Sequence, residues 1–361
     1  MARVTITLPH HSYDISIEAG ALVGIGERVR ALAPHALCGV IADARVWQEC
    51  GERFEASLDA AGYRMKLALL DRGEEGKNLA TVEELYALLL DASLERRSPI
   101  LAVGGGVTGD LAGFVAATYL RGVPFLQCPT SLLAMVDSSV GGKTGFNVSQ
   151  GKNLIGAFYQ PDAVVIDPLI LRSLPAREIR CGLAECIKHA VIRDAALFEF
   201  IRDEMEGVFA FSAETLIELI RWNVEIKAAV VTEDEREKGV RAHLNFGHSF
   251  GHVIEASVGY GKILHGEAVG LGMLAATRVA VEMGLCDRGL GEELESLLAA
   301  AGLPIRQELP GDDELDRIML HDKKVIDHRI RLILPKTLGS VEIRDDVSAD
   351  CIHRGWAAIR M

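Results

Sequence analysis

The chain has 361 residues, 49% of them hydrophobic and 25% charged, the balance of an ordinary globular protein with room for two domains. Its formal net charge of -13 excludes, on bulk electrostatics, a nucleic-acid partner or docking on an anionic membrane. Seven cysteines with no Cys-x-x-Cys pair, and a start (Met1 to Pro9) that alternates like a strand without a signal-peptide core, lead us to expect reduced thiols and a cytoplasmic protein.

In chain order, Ala36 to Asp43 is an apolar run ending in an acid, the pattern of a buried parallel strand. A helical stretch follows, and Tyr63 to Leu70 reads as the next strand. Thr81 to Leu94 carries Val82, Leu85, Leu88 and Leu89 at helical spacing, with Thr81 as expected N-cap and Glu84 three residues on. Pro99 to Val103 is a strand that runs into Gly104-Gly105-Gly106-Val107-Thr108-Gly109-Asp110, and Leu111 to Tyr119 is a small-residue helix. Strand, glycine turn and helix in that order direct backbone N–H groups and a positive helix end at one point, where a phosphate can sit. The spacing is not the standard dinucleotide fingerprint, so a close strand-to-helix crossing explains the glycines equally well.

Asp137 to Thr144 resembles a phosphate loop but lacks the earlier glycine of the Walker pattern, which rejects a nucleotide triphosphatase. Gly151-Lys152-Asn153 places a second lysine in a glycine-rich context. Asp167-Pro168 and Leu174-Pro175 punctuate the chain, and beyond them the periodicity turns helical: Ile179 to Ile192, Ala195 to Glu204, Ala213 to Thr232, His248 to Val258, Glu267 to Met283 and Gly291 to Ala301. Ala268 to Leu285 is apolar but interrupted by Arg278 and Glu282, so it reads as a buried helix and not a membrane span. Ile330 to Pro335 is a short strand. These patterns predict an α/β N-terminal domain with a doubly wound, Rossmann-like parallel sheet over 1–175, and a mainly α-helical C-terminal domain over 176–361. The cleft between them is the expected place for chemistry.

His248 and His252 are four residues apart, on one face of a helix, a common way to hold a divalent metal. His265 follows closely, and Glu185 offers a carboxylate. Buried, satisfied histidines are the bland alternative for any one of these, and the clustering argues against it.

The motifs Gly104 to Asp110, Asp137 to Thr144, Gly151 to Pro161, Gly182 to Lys188, Asn245 to Glu255, His265 to Val269 and Asp322-Lys323-Lys324 together resemble the 3-dehydroquinate synthase family of sugar phosphate cyclases, over nearly the whole chain. The resemblance implies NAD that is consumed and regenerated in each turnover, one divalent metal (zinc or cobalt), and a phosphorylated, carboxylated sugar acid, 3-deoxy-D-arabino-heptulosonate 7-phosphate, as substrate. It implies that Glu185, His248 and His265 hold the metal, while His252 faces the substrate and serves proton transfer. The implied catalytic and substrate-contacting residues are Asp137, Lys143, Lys152, Asn153, Lys188, Lys227, Arg241, Asn245 and His252, with one of Lys323 and Lys324. Lys188 follows Glu185 by three residues and Asn245 follows Arg241 by four, so each pair would share a helical face. For NAD, Gly104, Gly105, Gly106, Val107, Thr108, Gly109 and Asp110 would take the pyrophosphate, with Asp43, Glu74, Lys77, Thr130, Ser131, Lys143 and Lys152 as further contacts. A homodimer is also implied.

Two departures stand out. Asn147 is followed by Val148 and Ser149, where the family usually has histidine after that asparagine, so the loop before Lys152 is expected to differ in shape. Cys186 and His189 replace the more usual apolar and aromatic residues. A sister cyclase making valiolone-type or inosose-type rings is the alternative; intact Gly151 to Gly156 and Lys323-Lys324 favour the shikimate enzyme. A metal-dependent polyol dehydrogenase has a similar layout, but its neutral substrates would not call for so many basic residues. A catalytically inert binding protein would hold no metal.

Overall fold

A computed structural model of the chain describes residues 1–237, 239–259, 261–320, 325–326 and 329–361. It divides into two compact units. One comprises Met1–Pro175 with Phe211–Thr232, the other Ala176–Ala210 with Glu233–Met361. The expected domains, 1–175 and 176–361, differ from these in one segment, 211–232, which groups with the first unit. Helical periodicity announced this helix but carries no sign of which body it packs into.

The first unit is built on a seven-stranded sheet of β1 (Ala2–Leu8), β2 (His11–Ile17), β3 (Leu37–Asp43), β4 (Arg64–Leu70), β5 (Ile100–Gly104), β6 (Phe125–Pro129) and, after a separate hairpin of β7 (Lys143–Val148) and β8 (Gly151–Phe158), β9 (Ala163–Ile166). The spatial order is β1-β2-β9-β6-β5-β3-β4. All neighbours run parallel except the β1–β2 hairpin at the edge. The strands are apolar on both faces because both are covered. Val40, Leu101, Val103, Leu126 and Cys128 pack with Ile25 and Val29 of α1 (Ile25–Leu32) and Phe54 and Leu58 of α2 (Ala44–Ala60). The alternating residues Ile41, Ile100, Ala102 and Phe125 point the other way, onto Val82, Leu85 and Leu89 of α3 (Leu79–Asp91) and Leu111 and Val115 of α4 (Gly106–Thr118). Two-residue periodicity within each strand thus feeds two helical layers.

Two expectations need correction. Helix α3 starts earlier than Thr81: Asn78 is its N-cap and its side chain accepts from the Thr81 N–H at 3.1 Å. Helix α4 starts at Gly106, so Val107, Thr108, Gly109 and Asp110 form its first turn and not a loop. The chain goes from β3 outward to β4, then back to β5 on the other side of β3. The carboxyl ends of β3 and β5 therefore flank the topological switch point, the customary ligand position of such sheets.

The second unit takes α5 (Ala176–Arg193), α6 (Ala195–Asp203) and α7 (Met205–Phe209) from before α8 (Ala213–Glu233), which belongs almost wholly to the first unit, and α9 (His248–Val258), α10 (His265–Glu282), α11 (Arg288–Ala300) and α12 (Asp312–Leu320) from after it. Two-residue strands β10 (Val325–Ile326) and β11 (Arg329–Ile330), the hairpin β12 (Leu332–Thr337) and β13 (Ser340–Arg344), and α13 (Ala349–Ile359) complete the chain. Helix α10 is buried almost continuously from Gly266 to Ala280 and packs against α5, α9, α11, α13 and β12, as its small, all-round apolar sequence predicts. The Trp356 ring of α13 meets Phe250 of α9 edge-on with centroids 4.6 Å apart. Among the described residues no helix is long and apolar enough to cross a membrane.

Candidate functional site

In the helical unit, three helices converge on one point. Glu185 is buried in the middle of α5, and His248 and His265 are the first residues of α9 and α10. The Nε2 atoms of His248 and His265 lie 3.8 and 3.7 Å from Glu185 Oε1, and one ligand atom from each of the three falls within 4.8 Å of the other two. A tetrahedral zinc site with bonds of about 2.0–2.2 Å separates its ligand atoms by roughly 3.4 Å, and each imidazole stands within a few tenths of an ångström of that separation from the carboxylate. Glu185 is only 1% exposed, and among the described residues its Oε1, the oxygen that faces both imidazoles, accepts no hydrogen bond. Buried carboxylate oxygens left this way suit a cation. Lys188, one turn along α5 and equally buried, forms an ion pair with Glu185 Oε2. The expected shared face is therefore present.

The imidazoles are oriented from behind. His248 Nδ1 lies 3.1 Å from the Phe246 carbonyl, to which it can donate, and its Nε2 is turned toward Glu185. His265 Nδ1 lies 3.5 Å from Oε2 of the buried Glu255. Burial, the largest single influence on His265, opposes its charging, but Glu255 and Glu185 together outweigh it and raise its pKa. Helix α10 begins at His265 because Glu267 reaches back to the Leu264 N–H at 2.9 Å, while Arg177 clamps the same carboxylate at 2.6 and 2.7 Å. His252, one turn after His248, has its ring centroid 5.7 Å from that of His248 and 6.3 Å from that of His265. It stands beside the three-ligand group and outside it. The pairing suggested by four-residue spacing is thus replaced by one across helices.

Arg241 and Asn245 belong to the same unit. Arg241 is buried, its main-chain N–H donates to Asp234 at 3.1 Å and its guanidinium donates to the Glu235 carbonyl. Asn245 Nδ2 donates to Glu237 Oε1 at 2.7 Å. The segment Val240–Asn245 is a 3₁₀ helix and not α. At three residues per turn, positions four apart diverge around the axis, so the expected common face of Arg241 and Asn245 is corrected. Lys323 and Lys324 lie outside the described residues.

In the α/β unit, the first-turn N–H groups of Gly106, Val107 and Thr108 have no carbonyl to meet within α4 and open toward the switch point, an anion-binding arrangement. Gly104 at the end of β5 accepts from Thr130 N–H, and Ser131 Oγ accepts from Ala134 N–H, closing the adjacent turn. Asp43 caps α2, Oδ1 accepting from Arg45 and Val46 N–H at 2.9 and 3.1 Å. Buried Lys77 donates to Asp110 at 2.5 Å and to Asn153 Oδ1 at 2.6 Å. Burial is the dominant influence on the Asp110 carboxyl and holds it above the usual range, although Lys77 pulls the other way. Lys227 on α8 donates to the Asp137 carboxylate at 2.7 Å and to its carbonyl, and Lys143 is exposed at the start of β7. Lys152 and Asn153 sit in the β7–β8 hairpin, where a glycine-rich loop was expected. Sequence reading gave no role to Asn147, Glu237, Glu255 or Glu267. Their positions depend on contacts that periodicity does not encode, although Glu255 and Glu267 did lie inside recognised motifs.

A doubly wound sheet with a glycine turn at its switch point, and a helical unit presenting a carboxylate and two imidazoles, define a class of two-unit α/β proteins with a candidate metal centre. Two solved structures share this fold over nearly their full length. One is a 2-epi-5-epi-valiolone synthase from Streptomyces hygroscopicus subsp. jinggangensis 5008 with NAD and zinc bound (28% identity, TM-score 0.90, 98% of each chain). The other is a 2-deoxy-scyllo-inosose synthase complexed with carbaglucose-6-phosphate, NAD and cobalt (26% identity, TM-score 0.88, 99% of each chain). Residues 67–181 and 182–325 match the family models described as 3-dehydroquinate synthase N-terminal and C-terminal. A 3-dehydroquinate synthase from Synechocystis sp. is 44% identical over 97% of this chain and 98% of its own. The chain belongs to the 3-dehydroquinate synthase family.

Proposed function

We propose that the protein converts 3-deoxy-D-arabino-heptulosonate 7-phosphate to 3-dehydroquinate and phosphate, using NAD and one divalent metal, zinc or cobalt. The observation that carries this reading is the grouping of Glu185, His248 and His265 beside buried Lys188, in a chain 44% identical to a 3-dehydroquinate synthase. When bound, NAD supplies a temporary hydride acceptor and the metal a Lewis acid, for a sequence of oxidation, phosphate elimination, re-reduction, ring opening and intramolecular aldol closure.

The chain's own residues have the following parts in this reading. The start of α4, Gly104 to Asp110, receives the pyrophosphate, with Asp43, Glu74, Lys77, Thr130 and Ser131 around it. Lys143 and Lys152 contact both cofactor and substrate. Lys152, Lys188, Lys227 and Arg241 meet the phosphate and carboxylate of the substrate, the guanidinium through its two-pronged geometry. Lys188 and Lys227 can remain in the interior because Glu185 and Asp137 lie against them. Asn153 and Asn245 orient hydroxyl groups. His252, within 6.3 Å of both ligating rings, moves the proton.

We also propose that the protein is a cytoplasmic homodimer. Free cysteines support the compartment. Leu154, Ile155 and Phe158, all more than 40% exposed along β8, are apolar surface that a second copy would cover, and light scattering at micromolar concentration tests it.

The deciding experiment measures phosphate release from 3-deoxy-D-arabino-heptulosonate 7-phosphate with NAD and zinc or cobalt, beside His265→Ala and a chelator-stripped sample. Metal-dependent release without net NADH is expected. No release from folded, metal-loaded protein that turns over heptulose 7-phosphates would establish the valiolone- or inosose-type alternative instead. Steady NADH production from neutral polyols would establish a dehydrogenase.

A further inference from the structure

The hairpin that carries Lys152 and Asn153 is irregular at one place. Phe146 pairs with Ile155 and Val148 with Gly151. Asn147 alone therefore faces Lys152, Asn153 and Leu154, a bulge of the kind that re-aims side chains. Asn153 takes a left-handed conformation there, φ 52°. The side chain of Asn147 closes the bulge: its Oδ1 accepts from Asn153 N–H at 2.9 Å. The other end of the same amide, Nδ2, donates to Glu74 Oε1 at 2.7 Å, and the Asn147 main-chain N–H donates to the Lys77 carbonyl at 2.8 Å. Lys77 then returns to Asn153 Oδ1 and to Asp110 in the first turn of α4. Val148, the departure from the family pattern, packs against the apolar cluster under α3 and α4 and anchors the strand at this point.

We propose that Asn147 is a positioning residue that couples NAD binding to substrate binding. It joins the segment Glu74–Lys77, on the cofactor side, to the bulge bearing Lys152 and Asn153, on the substrate side, so that ordering either orders the other. The coupling is reciprocal, as linkage requires. The proposal rests on the assignment of these residues to NAD and substrate given above. It adds that the two ligands do not bind independently.

The test uses the amide's two ends. Asn147→Asp keeps an acceptor for Asn153 N–H but turns the donor facing Glu74 into a repelling carboxylate. Adding Glu74→Gln restores a hydrogen bond across the gap with the donor now on the other side. Hydrogen exchange is followed in peptides covering 104–110 and 143–158, with and without saturating NAD, and KM for 3-deoxy-D-arabino-heptulosonate 7-phosphate is measured at saturating NAD. In wild type, NAD should slow exchange in both regions. In Asn147→Asp it should slow 104–110 only, with KM raised about tenfold and kcat changed much less. The double variant should recover protection of 143–158 and most of the KM. Should Asn147→Asp fold poorly, Glu74→Ala, at an exposed position, opens the clasp from the other side and should uncouple the hairpin equally. Protection of 143–158 by NAD that survives these substitutions overturns the proposal. If NAD protects neither region in wild type, the cofactor assignment itself falls.

Discussion

The carbonyl oxygen of Gly247 occupies the space a side chain on Gly272 would need: a Cβ there would lie 2.0 Å from it and 2.9 Å from Gly251 N. Gly247 itself has φ 80°, a left-handed turn that directs the chain into α9. This crossing of α9 over α10 brings the rings of His248 and His265 to a centroid separation of 5.1 Å. Gly272→Ala is expected to force the helices apart, at a cost of about 1–3 kcal/mol in stability and with weakened zinc binding. Gly270→Ala, where a Cβ meets nothing nearer than Leu298 Cδ2 at 3.6 Å, should stay within about 1 kcal/mol of wild type. Thermal melts and zinc competition against a fluorescent chelator check both. Undiminished zinc affinity in Gly272→Ala would contradict the account.

Glu255 aligns His265 through Nδ1. Carboxylates behind a ligating imidazole typically contribute 10–100-fold to metal affinity. Glu255→Ala should therefore lower zinc affinity by about that factor, and Glu255→Gln, which keeps an acceptor, by less. The chelator competition used above reads this directly, and equal affinities would show that Glu255 serves packing alone.

The candidate ligands come from α5, α9 and α10, one each. A metal that binds only this folded arrangement stabilises it by mass action, about 2.7 kcal/mol at a hundredfold excess over Kd. Stripping with chelator should lower the Tm, zinc should restore it, and Glu185→Ala should melt at one temperature regardless of zinc. A zinc-responsive melt of Glu185→Ala would remove that residue from the ligand set.

His353 of α13 lies 2.8 Å from Asp316 of α12, with Asp312 at 4.0 Å. The Asp316 hydrogen bond, the largest influence, raises the His353 pKa above its ordinary value together with the charges of Asp316, Asp312 and Asp350, against the opposing effect of burial. A raised folded-state pKa means that stability from this pair is fully present below the unfolded value, about 6.5, and is lost as pH rises through the folded value. The Tm difference between wild type and His353→Gln should thus be larger at pH 5.5 than at pH 8.5. A pH-independent difference would assign His353 a packing role only.

Much of this was legible in the sequence, unevenly. The interior strands announced themselves because burial on both faces demands unbroken apolar runs such as Val40 to Ala42. Helix α5 followed from its periodicity, and α10 from its long run of small apolar residues. The His248–His252 spacing pointed to a metal-holding helix, whereas the geometry groups His248 with Glu185 and His265, because periodicity reports what shares a face and not what approaches it from another helix. His265 was placed by α10, and its start was fixed by Glu267 and Arg177, which no local pattern links. The hairpin of β7 and β8 was hidden by its glycines and its bulge. Asn78 rather than Thr81 capped α3 because the apolar residue Leu79 could stand exposed in the first turn.

Lys227, the partner of Asp137, sits on a helix that the chain contributes only after passing through Ala176–Ala210. A fragment ending at Pro175 would hold the sheet and the glycine turn yet leave Asp137 without that lysine. The two units are consequently not exchangeable cassettes. A gene recombined at one point near residue 175 would inherit Asp137 from one parent and Lys227 from the other, so functional chimaeras between relatives should require three junctions, at 175, 210 and 232, moved together.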